Sequence, residues 1–511
     1  MEDNKEYDFV IIGGGLGGLQ CAFILADEGH SVIVLEKNHQ LGGNLQVFSR
    51  DKCVFDTGVH YLGGLDEGQN LYKFFKYFNL YDNIKLRKMD EASFDRIRFG
   101  NEEKEYYYAQ GYDNFVKTLL VDFPNEKEGI EKYVHDMQEI CKEFPMYNIS
   151  LETKDYINEY FLYKNAKEYI DELTTDERLR NVLAGNNLLY AGIAEKTPLY
   201  VHALVVNSYI ESSYRCVDGG SQIAKVLAKE IRSRGGEVLK RADVVGAEYE
   251  EKLITSVKLK DGRMIKGNKF ISNAHPAATI DLFGEDRFRK AYVNRIKSIE
   301  NTISTFTVHL VFHEDTFEYI NYNIYQYNVN DVWEPQKYNP KSGGWPQGYM
   351  ISVPASSKNE KYAECMSVMA YMHWDEMKPW ADSFNTVGEP GERGESYEKF
   401  KAEKEKAILD DLEIRYPGIS KKIKSVHSST PITFRDYIGN VDGNMYGVTK
   451  DCESPMKSFI NPKTKIPNLF LTGSNINLHG ILGVSVSSFI TCFEFIEREH
   501  LIKKIIVKSE K

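Results

Sequence analysis

A glycine-rich turn inside a strand–helix–strand pattern is the feature that most restricts what this chain can fold into. The stretch 8–37, DFVIIGGGLGGLQCAFILADEGHSVIVLEK, is β-branched and apolar, then rich in glycine, then helical from Leu16 to Glu28, then apolar again. Gly29 stands where a helix C-cap belongs, and Glu36 ends the second apolar run. The pattern predicts a βαβ unit of about thirty residues.

Three glycines of this turn have the spacing of a dinucleotide-binding loop, Gly13-x-Gly15-x-x-Gly18. The first permits a tight turn, the second lets the backbone approach a pyrophosphate, and the third lets the helix pack closely on the strand. Phosphates would then lie at the helix N-terminus, where free N–H groups and the helix dipole favour negative charge. A carboxylate at Glu36 would accept hydrogen bonds from ribose hydroxyls, which makes NADP a poor fit. The sequence therefore predicts a bound dinucleotide.

Further glycine-containing stretches follow along the chain. LGGN at 41–44 comes shortly after the acid, and FDTGVHYLGG stands at 55–64. Near the other end, PNLFLTGSNINLHGILGVSVSSFITC at 467–492 predicts a strand that ends at Gly473 and a helix that begins near Gly480. The dipole of that helix would stabilise negative charge at its N-terminus.

Two stretches in the middle of the chain add to this pattern. The stretch 217–238, VDGGSQIAKVLAKEIRSRGGEV, has a Gly-Gly pair, a helical run and the start of a strand. The stretch 257–283, VKLKDGRMIKGNKFISNAHPAATIDLF, has a hairpin turn at Asp261-Gly262 and then the run SNAHP.

Taken together, these stretches resemble the FAD-dependent retinol saturase and phytoene desaturase family of the amine oxidase-like flavoprotein superfamily. The resemblance is strongest over the first sixty-odd residues, over 217–283 and over 467–492. It implies bound FAD, with the helix near Gly480 pointing at the pyrimidine end of the flavin. Asn44 stands where the family usually has arginine, so one cationic phosphate contact is missing.

The fingerprint and the resemblance together imply a set of cofactor-binding residues: Gly13, Gly15, Leu16, Gly17, Gly18, Glu36, Lys37, Gly42, Gly43, Asn44, His60, Gly473, Ser474, Gly480, Gly483 and Val484. The candidates for acid–base chemistry near the flavin are His60, His479 and Tyr61, because imidazoles titrate near neutral pH and a phenol can donate a proton. Each histidine could instead satisfy a backbone carbonyl or a cofactor oxygen. The sequence has no HExxH motif and no paired Cys/His set, so no metal is expected.

The sequence predicts an α/β protein with two domains, a discontinuous Rossmann-like FAD-binding domain and an α+β substrate-binding domain. The FAD-binding domain is expected to collect residues 1–85, 210–300 and 425–500, the substrate-binding domain residues 86–209 and 301–424, and residues 501–511 form a tail.

Composition narrows the partners and the location. The formal net charge is -11, so no basic excess is available for nucleic acid. The seven cysteines are scattered and include no CxxC pair, which favours a reducing compartment. The start, MEDNKEYD, lacks the features of a signal peptide, and we expect a cytoplasmic protein. The end, IEREHLIKKIIVKSEK, is compatible with peripheral contact at a membrane, although a solvated last helix is the simpler interpretation.

The resemblance implies an oxidoreductase that saturates, desaturates or isomerises carbon–carbon bonds of an apolar polyene, isoprenoid or related lipid by hydride transfer at flavin N5. Only one dinucleotide fingerprint is present, so NADPH or NADH would bind transiently, and the electron donor or acceptor stays open. One alternative is an amine oxidase-like or protoporphyrinogen oxidase-like enzyme, which would need an aromatic cage or a charged recognition group. Another is a non-catalytic carrier of prenyl lipids that resembles guanine-nucleotide dissociation inhibitors and binds no flavin.

Overall fold

The structure is a computed structural model that describes residues 5–152 and 158–510. The strands, numbered β1 to β19 in chain order, are Glu6–Ile12, Val32–Glu36, Val47–Arg50, Cys53–Asp56, Leu62–Gly63, Leu86–Lys88, Asp95–Phe99, Glu105–Tyr108, Ser213–Cys216, Glu237–Lys240, Val244–Glu250, Leu253–Leu259, Met264–Ser272, Ser304–Phe312, Asn323–Tyr327, Gly348–Ser352, Cys365–Met372, Ile423–Ser429 and Leu469–Leu471. The α-helices, α1 to α15, are Leu16–Asp27, Asn70–Tyr77, Tyr112–Asp122, Lys127–Lys142, Glu159–Tyr163, Ala166–Leu173, Glu177–Leu183, Leu199–Glu211, Ser221–Ser233, Pro276–Phe283, Lys290–Lys297, Glu395–Arg415, Pro431–Ile438, Gly480–Cys492 and Arg498–Ser509.

The first sheet is built around the predicted βαβ unit. Strand β1 pairs in parallel with β2 on one side and β13 on the other, so that Ile12 lies opposite both Leu35 and Ser272. Strands β10 and β19 extend this parallel part, and β12 and β11 continue it as an antiparallel hairpin. The central strands are buried on both faces, which explains why their sequences are continuous apolar runs. The predicted α/β, Rossmann-like fold is confirmed.

Helices from opposite ends of the chain pack together against this sheet. The side-chain amide of Gln20 in α1 donates to the Ser485 hydroxyl of α14 at 2.8 Å, and the Cys21 thiol lies 3.4 Å from the hydroxyl of Thr472. Helix α1 also contacts α9, so its side chains are buried almost all round. This environment explains why the sequence of α1 is apolar without a polar face.

The second sheet has the strand order β18-β14-β17-β16-β15-β7-β8. The pair β15 and β7 is parallel, and the other pairs are antiparallel. Every residue of β14 and β17 is buried, because α12 and its neighbours cover one part of the sheet while the helical block α3–α8 packs near the other strands. The strands and helices of this half give it the mixed composition expected for the second domain.

Three of the predicted boundaries fall inside regular structure, and the first, between residues 209 and 210, lies within α8. Residue 425 lies within β18, a strand of the second sheet. The segment 501–511, set apart as a tail, mostly belongs to α15, and its side chains Leu501, Ile502 and Ile505 are fully buried near α2. This apolar face at helical spacing anchors the segment to the first sheet's core. The division into FAD-binding and substrate-binding domains stays a prediction.

Candidate functional site

A cavity of about 1130 Å³ is lined by residues of both sheets. At one end, called here the glycine end, it is bordered by Gly13, Gly15, Leu16, Gly17, Glu36, Gly42, Gly43, Gly473 and Gly480. At the other, the sheet end, it is bordered by His60, Tyr61, Leu189, Tyr209, Met350 and Met369. A single continuous space therefore joins the predicted dinucleotide loop to the second sheet.

The first glycine turn is too tightly packed for side chains. Gly13 has φ +97°, and a Cβ on Gly18 would lie 2.1 Å from the carbonyl oxygen of Gly13. A Cβ on Gly17 would lie 2.7 Å from the Oδ1 of Asn273. Helix α1 begins directly after Gly15, and no side chain caps its N–H groups. The turn thus presents uncapped backbone donors at the cavity wall.

Glu36 ends β2 beside this turn with its side chain almost wholly buried. One carboxylate oxygen accepts the Gly14 N–H at 2.8 Å, and the other accepts the Asn38 N–H at 2.8 Å. Burial raises the pKa of the Glu36 carboxyl, while these backbone donors act in the opposite direction. Each oxygen keeps a further lone pair, so the carboxylate can still accept from a ligand hydroxyl.

The second pair of glycines lies directly against the first turn. Gly42 has φ +114°, and its N–H donates to the Gly14 carbonyl at 2.8 Å. Gly43 and Asn44 follow as wall residues, and Asn44 is exposed there. Lys37 also lines the cavity with an exposed side chain.

The turn before α14 meets the same wall from the opposite side. Gly473 has φ +100°, and its Cα lies 2.9 Å from where a Cβ on Gly17 would be. Asn273, at the end of β13, fills the space between the two turns. His479 occupies the N-cap position of α14 without a side-chain cap hydrogen bond. Sequence reasoning missed Asn273, whose only signal was its place in the SNAHP run.

Nearly all the predicted cofactor residues line this one cavity. Gly18 does not, because it faces the Gly13 carbonyl inside the turn. The lining residues of the predicted set are Gly13, Gly15, Leu16, Gly17, Glu36, Lys37, Gly42, Gly43, Asn44, His60, Gly473, Ser474, Gly480, Gly483 and Val484. Their roles as cofactor ligands stay predictions.

His60 is the first of the three acid–base candidates, and it lines the cavity. Within the described part of the chain, neither of its ring nitrogens has a hydrogen-bond partner. Burial, with a smaller contribution from Arg215, lowers the pKa of His60 to about 4, so the imidazole is neutral at pH 7. The backbone carbonyl of His60 accepts from the Arg215 guanidinium at 3.2 Å, which fixes the residue in the wall.

Tyr61 differs because its hydroxyl is already occupied. The phenol oxygen lies 2.9 Å from the carboxylate of Asp95 and 2.7 Å from the hydroxyl of Tyr325. Its ring lies 4.4 Å from that of Tyr209, and burial is the main cause that raises the pKa of Tyr61. Tyr61 therefore offers an aromatic ring to the cavity, with its hydroxyl held by groups behind the wall.

Behind Tyr61 runs a buried polar chain that sequence reasoning missed. Asn323 donates to Asp95 at 2.9 Å and accepts from Arg215 at 2.9 Å. Burial raises the pKa of Asp95 to about 7. Because Arg215 also holds the His60 carbonyl, one network fixes both neighbouring candidates, His60 and Tyr61. These residues carry no sequence motif and meet only through tertiary structure.

His479 lies in a more enclosed position. Its ring stacks on that of Tyr446 at 4.3 Å and 29°. Its Nε2 is shielded from solvent and has no hydrogen-bond partner among the described residues. Burial, and secondarily Lys450, lower the pKa of His479 to about 3. The ring is therefore neutral at the N-terminus of α14.

The described residues show neither a cluster of metal ligands nor a helix that could span a membrane. They contain no group of three or more His, Cys, Asp or Glu side chains placed to hold a metal ion. Across the same ranges, none of the helices is both long and apolar enough to cross a membrane. The seven cysteines are free and buried.

Comparison with known proteins finds relatives that span most of the chain. Residues 11–78 match the family described as an NAD(P)-binding Rossmann-like domain. The all-trans-retinol 13,14-reductase of Danio rerio is 25% identical, covering 97% of this chain and 87% of the reductase. The chloroplastic prolycopene isomerase of Daucus carota is 25% identical, covering 87% of this chain and 72% of the isomerase.

A solved structure shows the same fold at low sequence identity. Putrescine oxidase bound to putrescine aligns with a TM-score of 0.62 and 13% identity, covering 98% of this chain and 99% of the oxidase. At this identity the likeness concerns the fold alone.

Proposed function

We infer that this chain, which belongs to the retinol saturase-like and phytoene desaturase-like family, is an FAD-dependent oxidoreductase. Its proposed substrate is an apolar polyene, isoprenoid or related lipid, whose carbon–carbon bonds it saturates, desaturates or isomerises. The relatives named as a retinol reductase and a prolycopene isomerase support this substrate class.

The observation that carries the proposal is the continuity of the glycine end with the sheet end. Two helices, α1 and α14, begin at the glycine end without side-chain caps, so unpaired N–H groups line the cavity there. Uncapped helix N-termini favour anionic groups such as a pyrophosphate. The buried carboxylate of Glu36 adds an acceptor suited to a ribose. These residues fit a flavin dinucleotide.

Residues at the two ends of the cavity would have different roles. The α1 turn would bind the pyrophosphate, Glu36 the ribose, and the N-terminus of α14 the flavin's electron-poor ring. A bound flavin supplies hydride transfer at N5. At the sheet end Leu189, Met350 and Met369 would exclude water and orient an apolar chain.

His60 is the residue proposed to hold or move a proton at a ring nitrogen. Its nitrogens are free and its imidazole is neutral at pH 7, so it can accept a proton from carbon or donate a hydrogen bond. Tyr61 is a weaker candidate, because Asp95 and Tyr325 occupy its hydroxyl. His479 is proposed to shape the flavin end.

An amine oxidase-like function is the second candidate, because the putrescine oxidase fold is shared. A cationic amine needs a carboxylate or an aromatic cage near the reacting carbon. The carboxylates in the described lining are Glu36 and Asp243, both at the glycine end. Tyr61 and Tyr209 supply aromatic faces at the sheet end. The absence of a carboxylate there favours an apolar substrate.

The test begins with the visible absorption of the purified protein. We expect flavin bands, and after anaerobic addition of NADPH or NADH we would incubate the protein with all-trans-retinol and with prolycopene and separate the products. Bleaching by the nicotinamide would identify a transient electron donor. Unbleached flavin with a converted polyene would identify an isomerase or a desaturase. Activity on putrescine with peroxide release would favour the amine oxidase instead.

A matched pair of variants tests the role of His60. In His60→Gln we expect turnover to fall by about a hundredfold or more, since positioned acid–base groups contribute on that scale. Turnover is expressed per bound flavin, because His60 also belongs to the predicted cofactor-binding set. His135→Gln, on the exposed side of α4, is the control. A colourless protein, even after added FAD, would contradict the proposal and favour the lipid carrier.

A further inference from the structure

Three cationic side chains line the cavity among the described residues, and they differ in their exposure to solvent and in their hydrogen-bond partners. Lys37 is exposed and hydrated. The Arg498 guanidinium donates to the carbonyls of Leu151, Ser150 and Glu152 at 2.8–3.0 Å. Lys450 is partly buried, and its one hydrogen-bond acceptor among the described residues is the Ser458 carbonyl, at 3.2 Å. No carboxylate pairs with Lys450 in the described parts of the chain.

Lys450 is fixed beside the turn that leads into α14. Its segment is attached to this turn by the Val448 N–H, which donates to the side chain of Asn475 at 3.1 Å. The next N–H, of Thr449, donates to the Glu300 carbonyl at 2.8 Å. The charge of Lys450 is felt by His479, the N-cap residue of α14. The ammonium and the uncapped helix N-terminus therefore act on the same region of the cavity.

An ammonium in this position is costly without an anion. Burial lowers the pKa of Lys450 to about 8, because a buried position disfavours the charged ammonium. His479, the side chain on which the Lys450 charge acts, is neutral at pH 7 and offers no negative charge. Buried charges in proteins are normally paired. The missing partner is therefore an anionic group that enters the cavity.

We propose that Lys450 is the counter-ion of the reduced flavin, a role that rests on the function proposed above. Hydride transfer from a dihydronicotinamide or another donor to a bound flavin would add two electrons and one proton to the ring and leave it with one negative charge. The Lys450 ammonium and the N-terminus of α14 stabilise that charge. Lys450 thereby sets the reduction potential of the cofactor and is a tuning residue for hydride transfer.

The experiment measures the flavin without using turnover. Holoenzyme is prepared as wild type, Lys450→Met, Lys450→Gln and Lys450→Arg, with Lys457→Met on the exposed part of the same loop as the control. The midpoint potential is measured by equilibration with reference dyes. Sulfite affinity, which rises when positive charge stabilises an anionic flavin, is measured from the loss of visible absorption.

In the two neutral variants, Lys450→Met and Lys450→Gln, the equilibrium constant for flavin reduction should be at least tenfold lower than in the wild type. This factor equals about 30 mV in the midpoint potential of a two-electron couple. Sulfite affinity should fall by a similar factor. Lys450→Arg, which keeps the charge, and Lys457→Met should stay within about threefold of the wild type.

An unchanged potential in both neutral variants, with FAD bound, overturns the proposal while leaving the proposed function intact. If the potential is unchanged but affinity for oleate falls tenfold, the anion is a substrate carboxylate and the flavin assignment is wrong. A wild type that binds no FAD overturns the proposed function itself, and the counter-ion role with it.

Discussion

The two ends of the cavity are built in different ways. At the glycine end the wall is mostly backbone, and the groups proposed to bind a ligand are N–H donors at the starts of α1 and α14, each start being a run of consecutive residues. At the sheet end the wall is made of side chains from distant elements, such as Tyr209 of α8 and Met369 of β17. A site made of backbone can be recognised from local sequence. A site made of side chains is known only once the fold is known.

The largest effect should come from Gly18→Ala at the glycine end. The new Cβ would lie 2.1 Å from the Gly13 carbonyl oxygen, so the turn cannot keep its shape. We expect loss of flavin binding and destabilisation by about 1–3 kcal/mol or more. Flavin titration and urea unfolding measure both. Gly246→Ala, where nothing lies within 4 Å, should change stability by less than about 1 kcal/mol. Normal flavin binding in Gly18→Ala would contradict the backbone account.

Glu36→Ala should have the next largest effect. It removes the acceptor of two backbone N–H groups as well as the proposed ribose contact. Hydrogen bonds to charged groups contribute about 1.5–3 kcal/mol each, so we expect FAD affinity to fall by at least about tenfold. The measurement is the dissociation constant of FAD from the apoprotein. Glu36→Gln keeps an acceptor oxygen and should lose less, and equal losses would show that charge alone matters.

Leu189→Trp tests whether the sheet end is independent of the glycine end. The larger side chain would occupy space in the cavity, and we expect KM for a polyene substrate to rise by roughly tenfold, on the scale of pocket discrimination by size. The affinity for FAD should not change. A parallel fall in FAD affinity would mean that the two ends are coupled. Visible spectra and steady-state kinetics on one preparation separate these outcomes.

The smallest effect should be the loss of folding stability at acid pH that is due to His60. The pKa of His60 is about 4 in the folded protein and 6.5 in the unfolded chain. The folded state therefore binds fewer protons between these values, and the stability due to the neutral imidazole is complete above about pH 6.5 and is lost as pH falls toward 4. The free energy of unfolding of the wild type should fall between about pH 7 and about pH 5. His60→Gln should make that fall smaller, by up to about 1.4 kcal/mol per pH unit. Urea unfolding at both values checks it, and an unchanged difference would contradict the burial of this imidazole.

The sequence predicted most of the glycine end because the relevant physics is local. Strand β1, the Gly13 turn, α1 and β2 are contiguous, and their roles follow from backbone sterics and hydrophobic periodicity. The hairpin at Asp261-Gly262 was predicted for the same reason, and β12 and β13 flank it.

The network behind Tyr61 could not be predicted from the sequence. Tyr61 meets Tyr325 across 264 residues, and Arg215 meets Asn323 across 108. No periodicity or spacing encodes such pairs, because they depend on how the two sheets are placed. The sequence did not indicate β18, in which residue 425 lies, for a related reason: this edge strand is defined by its pairing with β14 rather than by its own pattern.

The packing of α1 against α14 also has a consequence for how the chain is made. Gln20 and its partner Ser485 are 465 residues apart, so a ribosome completes α1 long before its partner exists. At about 5–20 residues per second the interval is on the order of tens of seconds. During that time the apolar surface of α1 is without the helix that covers it, and the wall of the cavity is incomplete. We expect newly made chains to need protection by a chaperone and to become able to bind flavin only after synthesis of residues 469–492.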